Sequence, residues 1–325
     1  LAVIELMMGK KERISYSDAE ASYGSVGTRL EAFGIDATWD PSKDTQNWKG
    51  IHGCGEEDLD IEDRAYGVEQ WGGTLTYVPQ NWQFLCFALL DIKSDVTDTS
   101  SAPTTHTFTN TETGLISFSL ERAIQATADS VRTYEGCQIN SYAINWDAGD
   151  PQNWLNVTCD IVAEDCNEDT STTSLTPYAT APYLSKYALL TLGGASVSYL
   201  KSGTFTINNN LSDGFYADYA DLRLKGESAS QTRTYNLTAV ANYVDDTFFH
   251  LADAAAVIGS TNTLVFQRAA DDNLTCTFTG AYLNSPPDPT NLDGFNTVSL
   301  NVDINSCAFV AKDTLTDYET FVKTA

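Results

Sequence analysis

The sequence predicts a mainly β chain made of two tandem copies of one unit, each reading as strands, then a short helix, then strands. Three observations carry this. Several stretches alternate apolar and polar residues with period two, the pattern of half-buried strands. Gly, Thr, Asn, Tyr and Phe are plentiful, and long Ala/Glu/Lys/Leu blocks are missing, which favours strands and turns over helices. The pattern aromatic-x-Gly-x-x-aliphatic-Asn-Ser also occurs twice, as YEGCQINS at 134–141 and FTGAYLNS at 278–285, 144 positions apart.

The length of 325 residues suits two domains of about 150. Apolar residues make up 42%, enough for real cores. The net charge of −26, from 44 acids against 18 bases, repels phosphate backbones, so tight nucleic-acid binding is excluded as a function class. Two readings of the acidity stay open: work in high salt, as in a halophilic host, or charge for solubility. The seven cysteines are odd in number and irregular in spacing, so they read as small buried groups rather than a disulfide scaffold. A Cys159–Cys166 bridge is the disfavoured alternative. No stretch is long and apolar enough to span a membrane.

From the N-terminus, LAVIELMM is apolar for only eight residues before Gly9, Lys10 and Lys11. It reads as an arm, residues 1–20, that packs on a neighbouring subunit or loosely on its own domain. The first unit runs over 21–165. Within it, EDLDIED at 57–63 puts Asp58, Asp60 and Glu62 on one strand face and Leu59 and Ile61 on the other. The compact apolar run at 80–91, QNWQFLCFALLD, reads as a helix after the turn-like Val78-Pro79. Residues 166–184 begin with the polar, Ser/Thr-rich CNEDTSTTSLTPYATA and read as a linker or long loop. The second unit, 185–325, places Phe205 and Ile207 opposite Thr204 and Thr206. It places Leu222 and Leu224 opposite Asp221, Arg223 and Lys225, and Leu300, Val302 and Ile304 opposite Asn301, Asp303 and Asn305. Its helix is 246–258, with Asp246 as N-cap and Gly259 as stop.

If the octapeptides mark a duplication, other landmarks should match in the same order. Phe33-Gly-Ile35 matches Phe205-Thr-Ile207 at an offset of 172, and Tyr77-Val78 matches Tyr243-Val244 at 166. Leu120–Ala123 matches Phe266–Ala269 at 146, and Val157–Asp160 matches Leu300–Asp303 at 143. The offset falls steadily, as shorter loops in the second copy require. Gly136 and Gly280 would mark a bulge or a close backbone approach. The Asn-Ser that follows, with Asn140 and Asn284, suits a turn or strand end. The phrase thus reads as a requirement of the fold rather than a site.

The search for chemistry comes back close to empty. His52, His106 and His250 stand beside no nucleophile motif, and His52-Gly53-Cys54 has no second ligand pair, so neither a triad nor a zinc site is expected. No catalytic residue, metal ligand or cofactor-binding motif is assigned. Carboxylates abound, so any pair of them is uninformative for glycoside hydrolysis. Asp147, Asp150 and Asn153, or Asp288, Asn291 and Asp293, could gather around calcium but miss the twelve-residue loop pattern. The six tryptophans could stack sugars, though such residues more often anchor cores and interfaces. A large, duplicated, β-rich chain without catalytic residues points to a structural role and not to an enzyme.

In order along the chain, several segments resemble the tail tube (major tail) proteins of long-tailed viruses of bacteria and archaea. They are ASYGSVGT at 21–28, WGGTLTYVP at 71–79 and its following helix, HTFT at 106–109, YEGCQINSYAINW leading to LNVTCDIVAED, and GTFTINNNLSDG at 203–214. The resemblance implies two tandem tail-tube-type β-sandwich or barrel units, each flanked by a short α-helix. It also implies subunits that form rings, stacked into a hollow tube through which viral DNA leaves the virion. Family rings present six copies of the fold, so a doubled chain would close a pseudo-sixfold ring as a trimer. Asp58, Asp60 and Glu62 are candidates to line the lumen, with Asp160 and Asp303 behind them. The implied partners are further copies of the chain, other tail proteins at the tube ends and DNA in transit without tight binding, with assembly in the host cytoplasm. A non-contractile tail without sheath is favoured by likeness alone. The rival reading is a carbohydrate-binding or adhesin-like β-sandwich protein using exposed Trp and Asp/Asn loops.

Overall fold

The structure is a computed structural model. It describes residues 12–27, 30–45, 49–51, 63–65, 69–89, 95–99, 103–109, 115–124, 130–169, 175, 178–197, 199–212, 229–230, 232–242, 257–259, 261–284, 296–315, 318 and 321. The helix expected at 246–258 lies almost wholly outside these, as do the strand at 57–62 with Asp58, Asp60 and Glu62, the strand at 221–225, and residues 1–11.

Strands dominate. The first half contributes β1 (Glu12–Ala19), β2 (Leu30–Ala32), β3 (Thr38–Thr45), β4 (Lys49–Ile51), β5 (Asp63–Ala65), β6 (Glu69–Tyr77), β7 (Asp95–Asp98), β8 (Thr104–Thr109), β9 (Phe118–Ile124), β10 (Ser130–Asp147), β11 (Asn156–Ala163) and β12 (Asp165–Asp169). The second contributes β13 (Ala188–Leu192), β14 (Ala195–Ser196), β15 (Leu200–Asn208), β16 (Leu211–Ser212), β17 (Ala229–Ser230), β18 (Thr234–Asn242), β19 (Asn262–Ala269), β20 (Asp272–Leu283) and β21 (Thr297–Asp313). All pairings are antiparallel. The fold is therefore mainly β, and the expectation for fold class holds at that level.

Two expected boundaries move. The sequence places residues 12–19 in the arm, yet they form β1, which pairs with β9 over Glu12–Ala19. The alternation Ile14, Tyr16 is what buries that strand. The expected linker begins inside β12, and its later part is anchored rather than loose. Tyr183 is fully buried and its hydroxyl donates to Asp272 Oδ1, while the Gln80 side-chain amide donates to the carbonyls of Tyr178 and Thr180. The first helix starts later than the expected residue 80: a 3-10 turn at Gln83–Leu85 leads into α1 (Cys86–Leu89). Every residue of both is buried, because Phe84 and Phe87 insert among Tyr16, Phe33, Tyr77 and Phe118.

The pairing order repeats between the halves. In the first, β1 pairs β9, β9 pairs β10, β10 pairs β11, β11 pairs β6 and β6 pairs β3. In the second, β13 pairs β19, β19 pairs β20, β20 pairs β21, β21 pairs β18 and β18 pairs β15. Registers agree too. Reading across strands, Pro41, Gly73, Ile161 and Ile139 stand in one row of the first half; Phe205, Leu237, Val302 and Leu283 stand in the corresponding row of the second.

The two four-strand blocks join directly, because β10 pairs β15 over Ser141–Asp147 and Ser202–Asn208. The result is one eight-stranded sheet, β3-β6-β11-β10-β15-β18-β21-β20, called the wall below. Its inward row Trp39, Leu75, Cys159, Tyr142, Ile207, Tyr235, Ile304, Ala281 is buried from end to end. A second layer, built from β1, β9 and the start of β10 in one half and β13, β19 and the start of β20 in the other, covers that face. Trp39 packs on Tyr134 with ring centroids 5.3 Å apart, and Phe205 stacks on Phe278 at 5.6 Å.

The long strands β10 and β20 belong to both layers, and each turns between them at its glycine. Gly136 has φ +63° and Gly280 φ +65°, a left-handed conformation that disfavours any side chain. A Cβ at Gly136 would sit 2.8 Å from Cβ of Glu164, and one at Gly280 would sit 2.5 Å from Nδ2 of Asn305. Glu164 and Asn305 hold corresponding places on the neighbouring strand segments. The recurring glycine is thus a corner at left-handed φ with a side chain of the neighbouring strand segment over it.

Candidate functional site

The candidate site is the solvent face of the wall. The same alternation that buries Leu75, Cys159 and Ile207 turns their neighbours outward. One outward row reads Asp40, Thr74, Asp160, Ser141, Asn208, Thr234 across six strands; the next includes Thr158, Ala143, Thr206, Asn236 and Asp303. Apart from Ala143, the residues named carry hydroxyls, amides or carboxylates, and no Lys or Arg is among them.

Short hydrogen bonds tie the face together across strands. Thr204 Oγ1 donates to Asn145 Oδ1 at 2.8 Å, and Asn145 Nδ2 donates to Thr158 Oγ1 at 3.4 Å. This joins β15, β10 and β11, and so spans the junction between the halves. Asn140 occupies the bulge where the β10–β11 register shifts; its Nδ2 donates to Asp160 Oδ2 at 3.0 Å, and its Oδ1 accepts from the Leu211 N–H at 3.0 Å. The Asn236 amide, turned to donate, reaches Asp303 Oδ1 at 3.1 Å. Asp160 and Asp303 are both exposed, four strands apart on the wall, or about 19 Å at the usual strand spacing. They share a face but not a repeat position, since the row that holds Asp160 in the first half holds Asn301 in the second. Asn284, at the end of β20, donates its backbone N–H to the Asn301 carbonyl at 3.0 Å.

Behind the Gly136 corner lies a buried carboxylate that sequence reasoning missed. Glu20 accepts from the Gly136 N–H at 3.0 Å, Ser119 Oγ at 2.8 Å and the Gly24 N–H at 3.1 Å. Burial pushes its carboxyl above the ordinary range, and these donors together with Ser117 pull it partly back. It pins the ASYGSVGT loop over the outer layer. A lone Glu before a polar loop gives no sequence signal for this, because its partners come from positions 99 and 116 residues away. His106, expected only as part of a motif, sits fully buried with Nε2 3.1 Å from Asp313 Oδ1. Tyr318 stacks on its ring at 3.7 Å and donates to Asp313 Oδ2 at 2.5 Å. This cluster holds the β7–β8 hairpin of the first half against the end of β21.

The other sequence candidates take local roles. Asp147 Oδ1 accepts from the Gly149 N–H, Asp150 Oδ1 from the Gln152 N–H, and Asn153 Oδ1 from the Lys186 N–H, so this turn uses these oxygens on its own backbone and its neighbour's. An open cleft of about 410 Å³ lies beside it, with Trp154 at its side and Gly203 over the buried Trp146 ring at its floor. Trp39, Trp82 and Trp146 are core residues. Cys159 and Cys166 are free thiols, and burial pushes both above the ordinary thiol range. Among the described residues, no three His, Cys, Asp or Glu gather as a metal site, and no helix is long and apolar enough to cross a membrane.

Among the described residues β3 pairs only with β6, so the antiparallel sheet presents one dry face, one wet face and a free outer edge on β3. The chain belongs to the phage tail tube protein family, whose sequence model matches residues 18–305. It is therefore a structural component of a viral tail. No individually curated protein matches it.

Proposed function

We propose that the chain is the repeating subunit of the tail tube, that three copies close one ring, and that stacked rings form the conduit for DNA. The observation that carries this is the wall itself: two four-strand blocks with the same pairing order and register, joined edge to edge in one chain. Each chain is thus two tandem tube folds, and three chains give the six wall positions of a ring.

Size favours three over six. Eight strands at about 4.8 Å make about 38 Å of wall, and three chains make about 115 Å. With strands tilted by about 40°, the barrel circumference is about 150 Å and the backbone diameter about 48 Å. Side chains of about 5 Å on each side leave a bore of about 38 Å, wide enough for a double helix. Six chains would double the barrel to about 96 Å.

The polar face lines that bore in this reading. Asp40, Asp160 and Asp303 give it negative charge at intervals, and the Thr and Asn rows between them present hydroxyls and amides without cations. DNA would meet repulsion over about 8 Å in physiological salt and no sites to hold it. Asp58, Asp60 and Glu62 remain proposed lumen residues on sequence grounds, outside the described residues. Other tail proteins would cap the ends of the tube. The test is a cryo-electron microscopy map of assembled tubes. Three chains per ring with Asp160 and Asp303 facing the bore is the expected result; six chains, or these residues on the outer surface, would overturn the reading.

A further inference from the structure

A ring of three such chains needs six junctions between four-strand blocks. Three lie within chains, at β10–β15. The other three lie between chains, and the free edge of β3 must receive the second block of a neighbouring copy. We propose that these two classes of junction differ, and that the one at β3 is a seam with an interrupted backbone ladder, where the ring opens. The proposal rests on the three-chain reading above.

The in-chain junction is fully laddered. The Ala148 N–H donates to the Lys201 carbonyl at 2.7 Å, and the Asn209 N–H to the Asn140 carbonyl at 2.8 Å. Alternate residues between these two points therefore turn their backbone groups toward β10, Phe205 among them. The row correspondence puts Pro41 where Phe205 stands. On the inner side of β3, the Val78 N–H donates to the Ile35 carbonyl at 3.4 Å, so the even-numbered residues of β6 face β3. Pro41 is opposite Gly73, an odd-numbered residue, and so turns its ring nitrogen away from β6 toward the free edge. Proline is tolerated there because, among the described residues, that side has no strand partner. At a chain-to-chain junction the same nitrogen faces the incoming strand with no hydrogen to give.

The occupant is thus a second copy of the chain, held there by a backbone ladder that Pro41 interrupts. An edge strand with a central proline also resists indiscriminate strand addition before assembly.

Hydrogen exchange read by mass spectrometry, on free subunits and on assembled tubes, tests this. Amides of 203–209 should be protected in both states. Amides of Trp39 and Lys43 should exchange freely in the subunit and gain protection in tubes, to a level at least tenfold below that of Gly203 and Ile207. Unchanged exchange at Trp39 and Lys43 would remove β3 from the interface. Protection equal to the in-chain junction would remove the distinction between the two classes. A ring of six chains would sink the three-chain reading, whereas three chains with equal protection sinks only this inference. Pro41→Thr supplies the missing N–H; it should raise the urea midpoint of tube dissociation and leave the midpoint of subunit unfolding in place. No change in dissociation would count against an interrupted ladder.

Discussion

The two corner glycines should not cost the same when replaced by alanine. Each holds a left-handed φ, which for an L side chain costs about 1–2 kcal/mol. The space above them differs. At Gly136 the new methyl would meet Cβ of Glu164 at 2.8 Å and Cζ of Tyr23 at 3.1 Å, so relief requires backbone movement in a packed corner. Overpacking of that kind adds about 1–3 kcal/mol, for a total of about 2–5. At Gly280 the closest atom is Nδ2 of Asn305, at 2.5 Å, the far end of an exposed side chain that can swing into solvent. There the total should stay near about 1–2 kcal/mol, mostly conformational. Urea unfolding of Gly136→Ala and Gly280→Ala subunits, kept too dilute to assemble, measures both. Adding Asn305→Ala to Gly280→Ala removes Nδ2 and Cγ, leaves only Cβ of residue 305 at 3.0 Å, and should bring the cost close to the conformational part. Equal costs, or a larger cost at Gly280, would refute the account of these corners.

Three further outcomes follow from the same structure. Asn209 is fully buried and its Nδ2 donates to the Ala88 and Ile139 carbonyls while its Oδ1 accepts from Arg233 Nε. Asn209→Ala strands all three groups and should cost about 2–4 kcal/mol in urea unfolding, with Asn209→Asp no better because it loses both donations. Glu20 has a folded-state pKa above its unfolded value. Its contribution is therefore fully present below the unfolded value near pH 4.5 and is lost as pH rises through the folded value. Over that window the balance between Glu20→Gln and the native chain should move in favour of the glutamine, by about 1.4 kcal/mol for each pH unit separating the folded and unfolded values. Parallel stability-versus-pH curves from urea titrations would remove that role. Replacing Asp160 and Asp303 by Lys should slow genome ejection several-fold at low salt, with the difference fading near 1 M salt, where screening falls to about 3 Å. Unchanged ejection kinetics would argue that this face does not meet DNA.

What the sequence could and could not say turns on the period of a strand. Phe205 and Ile207, or Leu300, Val302 and Ile304, can be assigned to a buried face because every second residue is apolar and the other face is wet. Register between strands carries no such mark. The landmark matches put Leu120 with Phe266, at 146, whereas pairing to the corner strand aligns Leu120 with Asn262, at 142. They put Val157 with Leu300 at 143, whereas Cys159 is the residue in the row of Leu300, at 141. They put Phe33 with Phe205 at 172, but Phe33 follows β2, and Pro41 stands in the row of Phe205, at 164. Every one of these slips is an even number. A strand that slides by two keeps all its apolar residues inside, so the composition of a segment is blind to it, whereas a slide by one would empty the core. The glycine corner escapes the ambiguity, because a left-handed φ under a covering side chain fits one position only. That is why the octapeptides alone match at the offset the pairing supports, and why Glu20, whose role depends on where that corner lands in space, leaves no trace in the sequence.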